Sequence, residues 1–453
     1  MIRFTPLTVS TAALAGLTLV LSSGSATAQS SADYSNYGCT GLEIDNELPS
    51  IEGRDGVFYR INADLRMNHP FSDQTVAQMA ELSQALAANG TTLIFVPVPT
   101  KSVTMPGYLP TDVERYGFDL EIATEVHLDI LRRLGAAGVV TVDARDAMID
   151  MPDGELAFFK ADFHWSAAGA RQTAIAIAET IRGLPEYADL DPTLFETVPL
   201  EVGVAFSGMR RILQSRCLTT LPEAETMTYL TSQVQSLDLD SGGLDLFGES
   251  ANTTPIVLLG TSFSDSLINN FPGFLAEYAQ LEVVNYALTG GNQYGSITSY
   301  LTSTEFEEAP PRFLIWENPI YNNLAQYGDL PMRELTAAAS QTCTMPLATQ
   351  INAEEAIITV DLDGYDLGPA DTIFVDTHAN VETQASFVFQ SDEGLTRTKT
   401  IERGERLSRT GRFYMPLSGL WDGGAAAMRI QMTQPFLSEP SVYVCPSQMK
   451  DES

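Results

Sequence analysis

Two short segments carry the residue types that nucleophilic acyl chemistry needs. The first, Gly260-Thr261-Ser262-Phe263-Ser264, directly follows the apolar run Ile256-Val-Leu-Leu259 and precedes a helix-compatible stretch. A strand-to-helix turn of this kind lifts a side chain above the C-terminal edge of a parallel sheet, where such sheets place their ligands. The helix that follows offers backbone N–H groups to a developing oxyanion. Ser262 is therefore the candidate nucleophile. The plainer reading is that Ser262 only caps the helix and Gly260 only makes the turn.

The second segment is Lys160-Ala161-Asp162-Phe163-His164-Trp165-Ser166. A serine needs a base, and the base needs a carboxylate to orient it. In extended backbone, residues i and i+2 point to the same side, so Asp162 is expected to hold His164 while Phe163 packs the other way. The plainer reading is a satisfied polar pair beside a buried Trp165. The chain has four histidines. His127 lies on a predicted helix face and His378 among predicted β-strands, and both read as structural; His69, in Asn68-His69-Pro70, has no motif around it.

The elements that must position these segments read as a mostly parallel α/β sheet. Gln78 to Ala88 is an amphipathic helix with Met79, Leu82 and Leu86 on one face, stopped by Asn89-Gly90. Thr92–Val98, Val139–Asp143, Pro255–Leu259, Leu281–Tyr286 and Phe313–Trp316 are continuous apolar runs separated by helical patterns such as Ala123–Leu134, as buried parallel strands require. Leu200 to Thr254, with its Asp/Gly-rich stretch Asp238–Gly248, breaks the rhythm and is expected to form a small excursion. Lys101 ends Val98-Pro99-Thr100-Lys101 at the same predicted sheet edge as Ser262, so it is a candidate to bind a substrate carboxylate.

Beyond Thr336 the pattern changes to short, alternating, turn-bounded strands: Ile357–Leu362, Thr372–Asp376, Ala385–Phe389, Phe413–Leu417, Met428–Met432 and Ser441–Cys445. They predict an all-β sandwich of antiparallel strands. Arg397, Lys399, Arg403, Arg406, Arg409, Arg412 and Arg429 face only Glu402, Glu405 and Asp422 in the same stretch, which makes it net positive. Arginine forks suit the carboxylates of a uronic-acid polymer, and Trp421 among them suits a sugar ring.

Composition bounds the rest. The 453 residues carry a formal net charge of -33 with 44% hydrophobic residues, which fits a folded multi-domain protein and argues against nucleic acid as a partner. Arg3, the apolar stretch Leu14–Leu21 and Ala26-Thr27-Ala28 have the parts of a signal peptide over residues 1–28, so the mature chain is expected to begin near Gln29 in the periplasm. Cys39, Cys217, Cys343 and Cys445 are even in number and contain no C-x-x-C pair, which in an oxidising compartment predicts two disulfides. Three pairings are open. Cys39–Cys217 with Cys343–Cys445 is favoured, because the second bond would tie the ends of the C-terminal module; loops near a hundred residues long gain about 4–5 kcal/mol each in the chain-entropy model.

Together, Asp-x-His-Trp upstream and Gly-Thr-Ser-Phe-Ser downstream resemble the SGNH-hydrolase-like acetyltransferases of alginate biosynthesis, the AlgX/AlgJ family. Ordinary SGNH hydrolases carry the serine first and the Asp/His pair last; the inverted order here resembles the family's circularly permuted fold. The four cysteines and the C-terminal β-sandwich resemble the branch with a carbohydrate-binding module. The resemblance implies an acetyltransferase domain over residues 29–338 and the module over 339–453. It implies Ser262 as nucleophile, His164 as base and Asp162 as orienter, with no metal or other cofactor. By position it also implies oxyanion donors at the Ser262 N–H and in Thr289-Gly290-Gly291-Asn292, with Gly290 and Gly291 as candidates; Trp316-Glu317 matches a family position without a clear role. The implied activity is acetyl transfer to mannuronate hydroxyls of alginate by a monomer. The implied partners are a membrane O-acyltransferase that supplies the acetyl group and other alginate secretion proteins. A polysaccharide acetyl-esterase and a non-catalytic polysaccharide-binding scaffold are the rival readings.

Overall fold

The computed structural model describes residues 35–152, 154–234, 254–379, 381–421 and 424–446. The expected signal peptide and Asp238–Gly248 lie outside the described residues. The chain builds β1 (Thr92–Val98) and β2 (Val140–Thr141), leaves for an antiparallel ribbon of β3 (Phe195–Ala205) and β4 (Ala224–Gln233), and returns with β5 (Ile256–Leu259), β6 (Val283–Asn285) and β7 (Phe313–Pro319). The central sheet has the order β2-β1-β7-β5-β6, and every pairing in it is parallel.

Strand alternation sorts the apolar runs onto two faces. Ile94, Val96, Val98, Leu258 and Ile315 share a core with α3 (Ala167–Gly183) and α5 (Phe271–Ala279). Leu93, Phe95, Leu259, Leu314 and Trp316 pack on the other side with Met79, Leu82 and Leu86 of α1 (Asp73–Ala88), Ile130 and Leu134 of α2 (Leu120–Ala136) and Leu335 of α6 (Leu330–Ser340). Helix α1 starts earlier than its apolar spacing implies, because the Ser72 hydroxyl accepts the Thr75 N–H and caps it there. It ends as expected, with Gly90 at φ +81°.

Two expectations differ from the structure, one too generous and one too modest. Val139–Asp143 yields only the edge pair Val140–Thr141, because Asp143 leaves the ladder to accept the N–H groups of Arg145 and Asp146. The excursion is a long ribbon, paired from Phe195↔Gln233 to Ala205↔Ala224, with helix α4 (Gly208–Gln214) at its turn.

The C-terminal strands form two antiparallel sheets. β8 (Met345–Pro346), β11 (Thr372–Asp376), β14 (Arg412–Pro416) and β16 (Ser441–Cys445) make one, in the order β8-β16-β11-β14. β9 (Thr349–Asn352), β10 (Ile357–Asp361), β12 (Gln384–Gln390), β13 (Thr396–Glu402) and β15 (Ala427–Met432) make the other, in the order β9-β10-β15-β12-β13. Strand β13 escaped the sequence reading because it is an edge strand with Ile401 alone fully buried, so it lacks an apolar alternation. Both favoured disulfides are present, Cys39–Cys217 and Cys343–Cys445.

The sandwich is joined to the sheet domain by more than chain continuity. Phe374 and Tyr414 belong to the same core as Leu335 and Trp316. Beside them Arg403 forms a buried bidentate pair with Glu334 of α6, at 2.9 and 2.6 Å, and Arg412 reaches Glu307 at 2.7 Å and Asp376 at 3.2 Å. Arg403 and Arg412 therefore do not present their forks to a polymer. They are turned inward, where burial makes a carboxylate partner obligatory.

That pairing gives a stability test. Arg403→Met strands a buried Glu334 carboxylate and should lower unfolding free energy by about 3–5 kcal/mol in urea titration, while the double change Arg403→Met, Glu334→Leu should recover most of the loss. A polysaccharide-binding role would instead leave stability intact and weaken polymer affinity.

Candidate active site

The turn that carries Ser262 begins where β5 ends. Gly260 is required there, because a Cβ would stand 2.5 Å from Glu317 Oε2. Thr261, not Ser262, caps the short helical turn, its Oγ1 accepting the Phe263 N–H, which leaves the Ser262 hydroxyl free for other work. Glu317, in neighbouring β7 one residue past the pair Leu259↔Trp316 and fully buried, lies beneath the turn. It accepts the Thr261 N–H at 2.8 Å, the Thr261 hydroxyl at 3.1 Å and the Ser264 hydroxyl at 2.9 Å. Burial pushes its carboxyl up to about 7, against the pull of those donors.

The Asp162–His164 segment meets this turn from the other side. His164 Nε2 stands 2.7 Å from Ser262 Oγ, and His164 Nδ1 stands 2.6 Å from Asp162 Oδ1. The two segments, 98 residues apart, thus form one continuous relay. The indole N–H of Trp165 donates to the Phe263 carbonyl at 2.8 Å and ties the same segments together below it. Side-chain exposure falls from 21% at His164 to 3% at Asp162, so the solvent end of the relay is the serine and the buried end is the carboxylate.

The local geometry differs from the extended segment expected. Asp162 Oδ1 also accepts the His164 backbone N–H at 2.8 Å, which folds the stretch into an Asx-type bend. Phe163 consequently lies against the imidazole, ring centroids 4.1 Å apart, and the Arg60 guanidinium lies over the Phe163 ring at 4.3 Å. Burial alone would raise Asp162, yet hydrogen bonds and charge from His164, with a further bond from Ser207, hold its carboxyl below the ordinary range. Sequence reasoning did not find Ser207. It sits in the excursion, and nothing in its local pattern refers to Asp162.

The spacing Asp-x-His is not sufficient by itself. Asp376-Thr377-His378 repeats it, and His378 Nε2 even lies 2.8 Å from Ser441 Oγ. There Nδ1 is 3.5 Å from the carboxylate, whose other oxygen is taken by the Arg412 cation at 3.2 Å, and the serine lies within strand β16 with no helical turn behind it. A carboxylate already neutralised by arginine has little charge left to support an imidazolium.

Lys101 is placed differently from its expectation. The residue is 1% exposed, and its side-chain nitrogen donates to the carbonyls of Phe58, Lys160 and Asp162 at 3.0, 2.9 and 3.0 Å, with Phe159 as a fourth acceptor. It cannot meet a substrate; it holds the backbone that carries Asp162. Burial lowers it to about 7. Gly291 is also reassigned, since its N–H is spent on Leu288 O, closing a tight turn with Gly290 at φ +74°. That turn lies beside the Ser262 turn, through Leu288 N to Gly260 O at 3.0 Å, and Arg406 of the sandwich rests on it, donating to Thr289 O at 3.1 Å. Farther out, Arg397 stacks over Trp421 at 5.0 Å, and Lys399 donates to Pro416 O at 2.6 Å.

Two measurements follow. Lys101→Met leaves several buried carbonyls without a donor and should cost about 3 kcal/mol of stability, with the activity that survives reduced in kcat and not in KM; a substrate-binding lysine would show the reverse split. For Glu317, the folded carboxyl takes up its proton near pH 7 against an ordinary value of 4.5, so the folded state binds more protons between those values and loses stability as pH rises through them. The difference in melting temperature between Glu317→Gln and wild type should therefore grow in favour of the variant from pH 4.5 to about 7 and be flat outside that window.

Residues 51–320 match the family described as SGNH hydrolase-like domain, acetyltransferase AlgX. The chain is 30% identical over 276 residues to the alginate biosynthesis protein AlgX of Pseudomonas aeruginosa, an alignment covering 61% of this chain and 56% of that one. It is 28% identical to AlgX of Pseudomonas fluorescens over 85% of this chain and 79% of the relative, and 27% identical to the probable alginate O-acetylase AlgJ of the same species over 67% and 79%. The first of these alignments thus spans little more than half of the relative's length. Among solved structures, that of Pseudomonas aeruginosa AlgX superimposes with a TM-score of 0.74 at 22% identity, covering 88% of this chain and 94% of the other, so the two share a fold. With a match over residues 51–320 and the sheet, turn and sandwich described above, the chain belongs to the AlgX family of SGNH-hydrolase-like proteins.

Proposed function

We propose that this protein is a periplasmic O-acetyltransferase that modifies mannuronate hydroxyls of alginate through an acetyl-serine intermediate. The relay from Ser262 through His164 to Asp162, at 2.7 and 2.6 Å, is the observation that carries the reading. Ser262 Oγ attacks the acetyl carbonyl of the donor while its proton passes to His164 Nε2. As the tetrahedral adduct collapses, the bond to the donor breaks and its leaving group takes that proton. A sugar hydroxyl then gives its proton to His164 and attacks the acetyl-serine, and collapse returns the proton to Ser262. The Ser262 backbone N–H serves the oxyanion in both halves.

Family membership and the names of the relatives support acetylation in alginate biosynthesis. The polymer's carboxylates suit the exposed Arg397 beside Trp421, with Arg406 leading back toward the serine turn. Two disulfides fit an oxidising compartment such as the periplasm, and among the described residues no helix is long and apolar enough to cross a membrane. In this reading the acetyl group arrives from a membrane O-acyltransferase, and other alginate secretion proteins are neighbours.

The test is incubation of purified protein with an activated acetyl ester, with and without oligomannuronate, followed by mass spectrometry of sugar and protein. Acetylated sugar and an acetyl group on Ser262 are expected, and Ser262→Ala should lose about 10³-fold or more in kcat while still binding polymer. Free acetate without acetylated sugar would make the protein an esterase. Unimpaired polymer acetylation by Ser262→Ala would sink the catalytic reading and leave a scaffold.

A further inference from the structure

We propose that Ser207 is a positioning residue of this relay, a fourth member that fixes Asp162 through the carboxylate oxygen His164 does not use. The inference rests on reading Ser262, His164 and Asp162 as the acyl-transfer machinery. Asp162 is 2% exposed, so each of its oxygens needs a protein donor. Oδ1 has two, the backbone N–H and Nδ1 of His164, while Oδ2 has the Ser207 hydroxyl at 2.5 Å.

The direction of the Ser207 hydrogen is set by its surroundings. Ser207 caps helix α4, and its Oγ accepts the Arg210 N–H at 2.9 Å. With that lone pair committed to the helix, the single hydroxyl hydrogen is left for an acceptor. The Ala161 carbonyl is 3.4 Å away, whereas the carboxylate is much closer and charged. The cap therefore pre-aims the donor, and the carboxylate cannot turn about its own axis without losing it.

Ser207 is itself held by a small rigid assembly. Met209 and Leu213 of α4 pack with Phe58, Leu42 and Ala161 in a core of their own, Cys217 just beyond the helix is bonded to Cys39, and Arg210 donates to the carbonyls of Leu221 and Pro222. This assembly braces the Asp162 loop from one side as Lys101 does from below. The contrast with Asp376 shows why a neutral donor matters. Arg412 cancels that carboxylate, while a serine hydroxyl fixes geometry and leaves the negative charge for the imidazole.

The test uses the full mature protein with Ser207→Ala, Ser207→Gly and Ser207→Thr. Glycine caps a helix almost as well as serine, so that variant removes the hydroxyl with little disturbance of α4 even should the alanine variant misfold. Loss of one hydrogen bond to a buried carboxylate should lower kcat for acetyl transfer about tenfold with KM unchanged in the alanine and glycine variants, and threonine should recover most of it. Independently of turnover, the low-field proton resonance of His164 Nδ1–H, assigned by its loss in Asp162→Asn, should move in the first two variants and hold its position in the third. Unchanged kcat and resonance in both hydroxyl-deleted proteins, or an equal loss in Ser207→Thr, would overturn the proposal. Should wild type neither transfer nor hydrolyse acetyl, the functional reading fails, and the resonance alone decides whether Ser207 fixes Asp162.

Discussion

A carboxylate removed from water must be resolvated by the protein, and the fold around the candidate site is organised to do that at Asp162. Its two oxygens collect three donors, and each donor fixes a different part of the structure: the imidazole, the backbone bend that carries it, and the cap of a helix from the ribbon excursion. The cost of burying the charge thereby becomes rigidity at the place where an imidazole must be aimed. The buried Lys101 ammonium acts by the same rule with opposite sign. It satisfies itself on backbone carbonyls, including that of Asp162, so one buried lysine pins the loop that carries Asp162 and His164.

The parallel sheet supplies the second half of the site. Strand β5 ends at Leu259 beside Trp316 of β7, which runs on past it; this puts Glu317 under Gly260-Thr261 and lets one carboxylate accept the donors of the turn that holds Ser262. Only glycine admits that approach at position 260. The serine turn is thus positioned by a strand edge, and the histidine loop by buried charges and the Trp165–Phe263 bond. Neither depends on the solvent-facing surface, which leaves the outer end of the relay open to reactants.

The sandwich is bonded into this arrangement at the Arg403–Glu334 pair, at the core shared through Phe374 and Tyr414, and at Arg406 on the Thr289-Gly290 turn. Two arginines that look like part of a polymer-binding stripe in the sequence, Arg403 and Arg412, are buried and consumed by contacts with acids. Charge counted along a chain ignores which side chains face inward: Glu334, which claims Arg403, and Glu307, which pairs with Arg412, come from helices of the sheet domain far away in sequence.

Much was legible in the residues alone. Apolar runs of strand length between helical patterns specify a parallel sheet because both faces of such a sheet must be covered, and short alternating strands specify a sandwich for the same reason of burial. The paired motifs pointed to Ser262, His164 and Asp162, because those side chains owe their chemistry to type and local spacing. Periodicity carries no such signal for Ser207, Lys101 or Gly291. Their partners are carbonyls, carboxylates and N–H groups brought near by packing, so only the tertiary structure decided that one is a brace, one a buried clamp and one a closed turn. It also decided which of two Asp-x-His segments has a carboxylate free of a competing cation, since a serine occupies the second oxygen of Asp162 and an arginine that of Asp376.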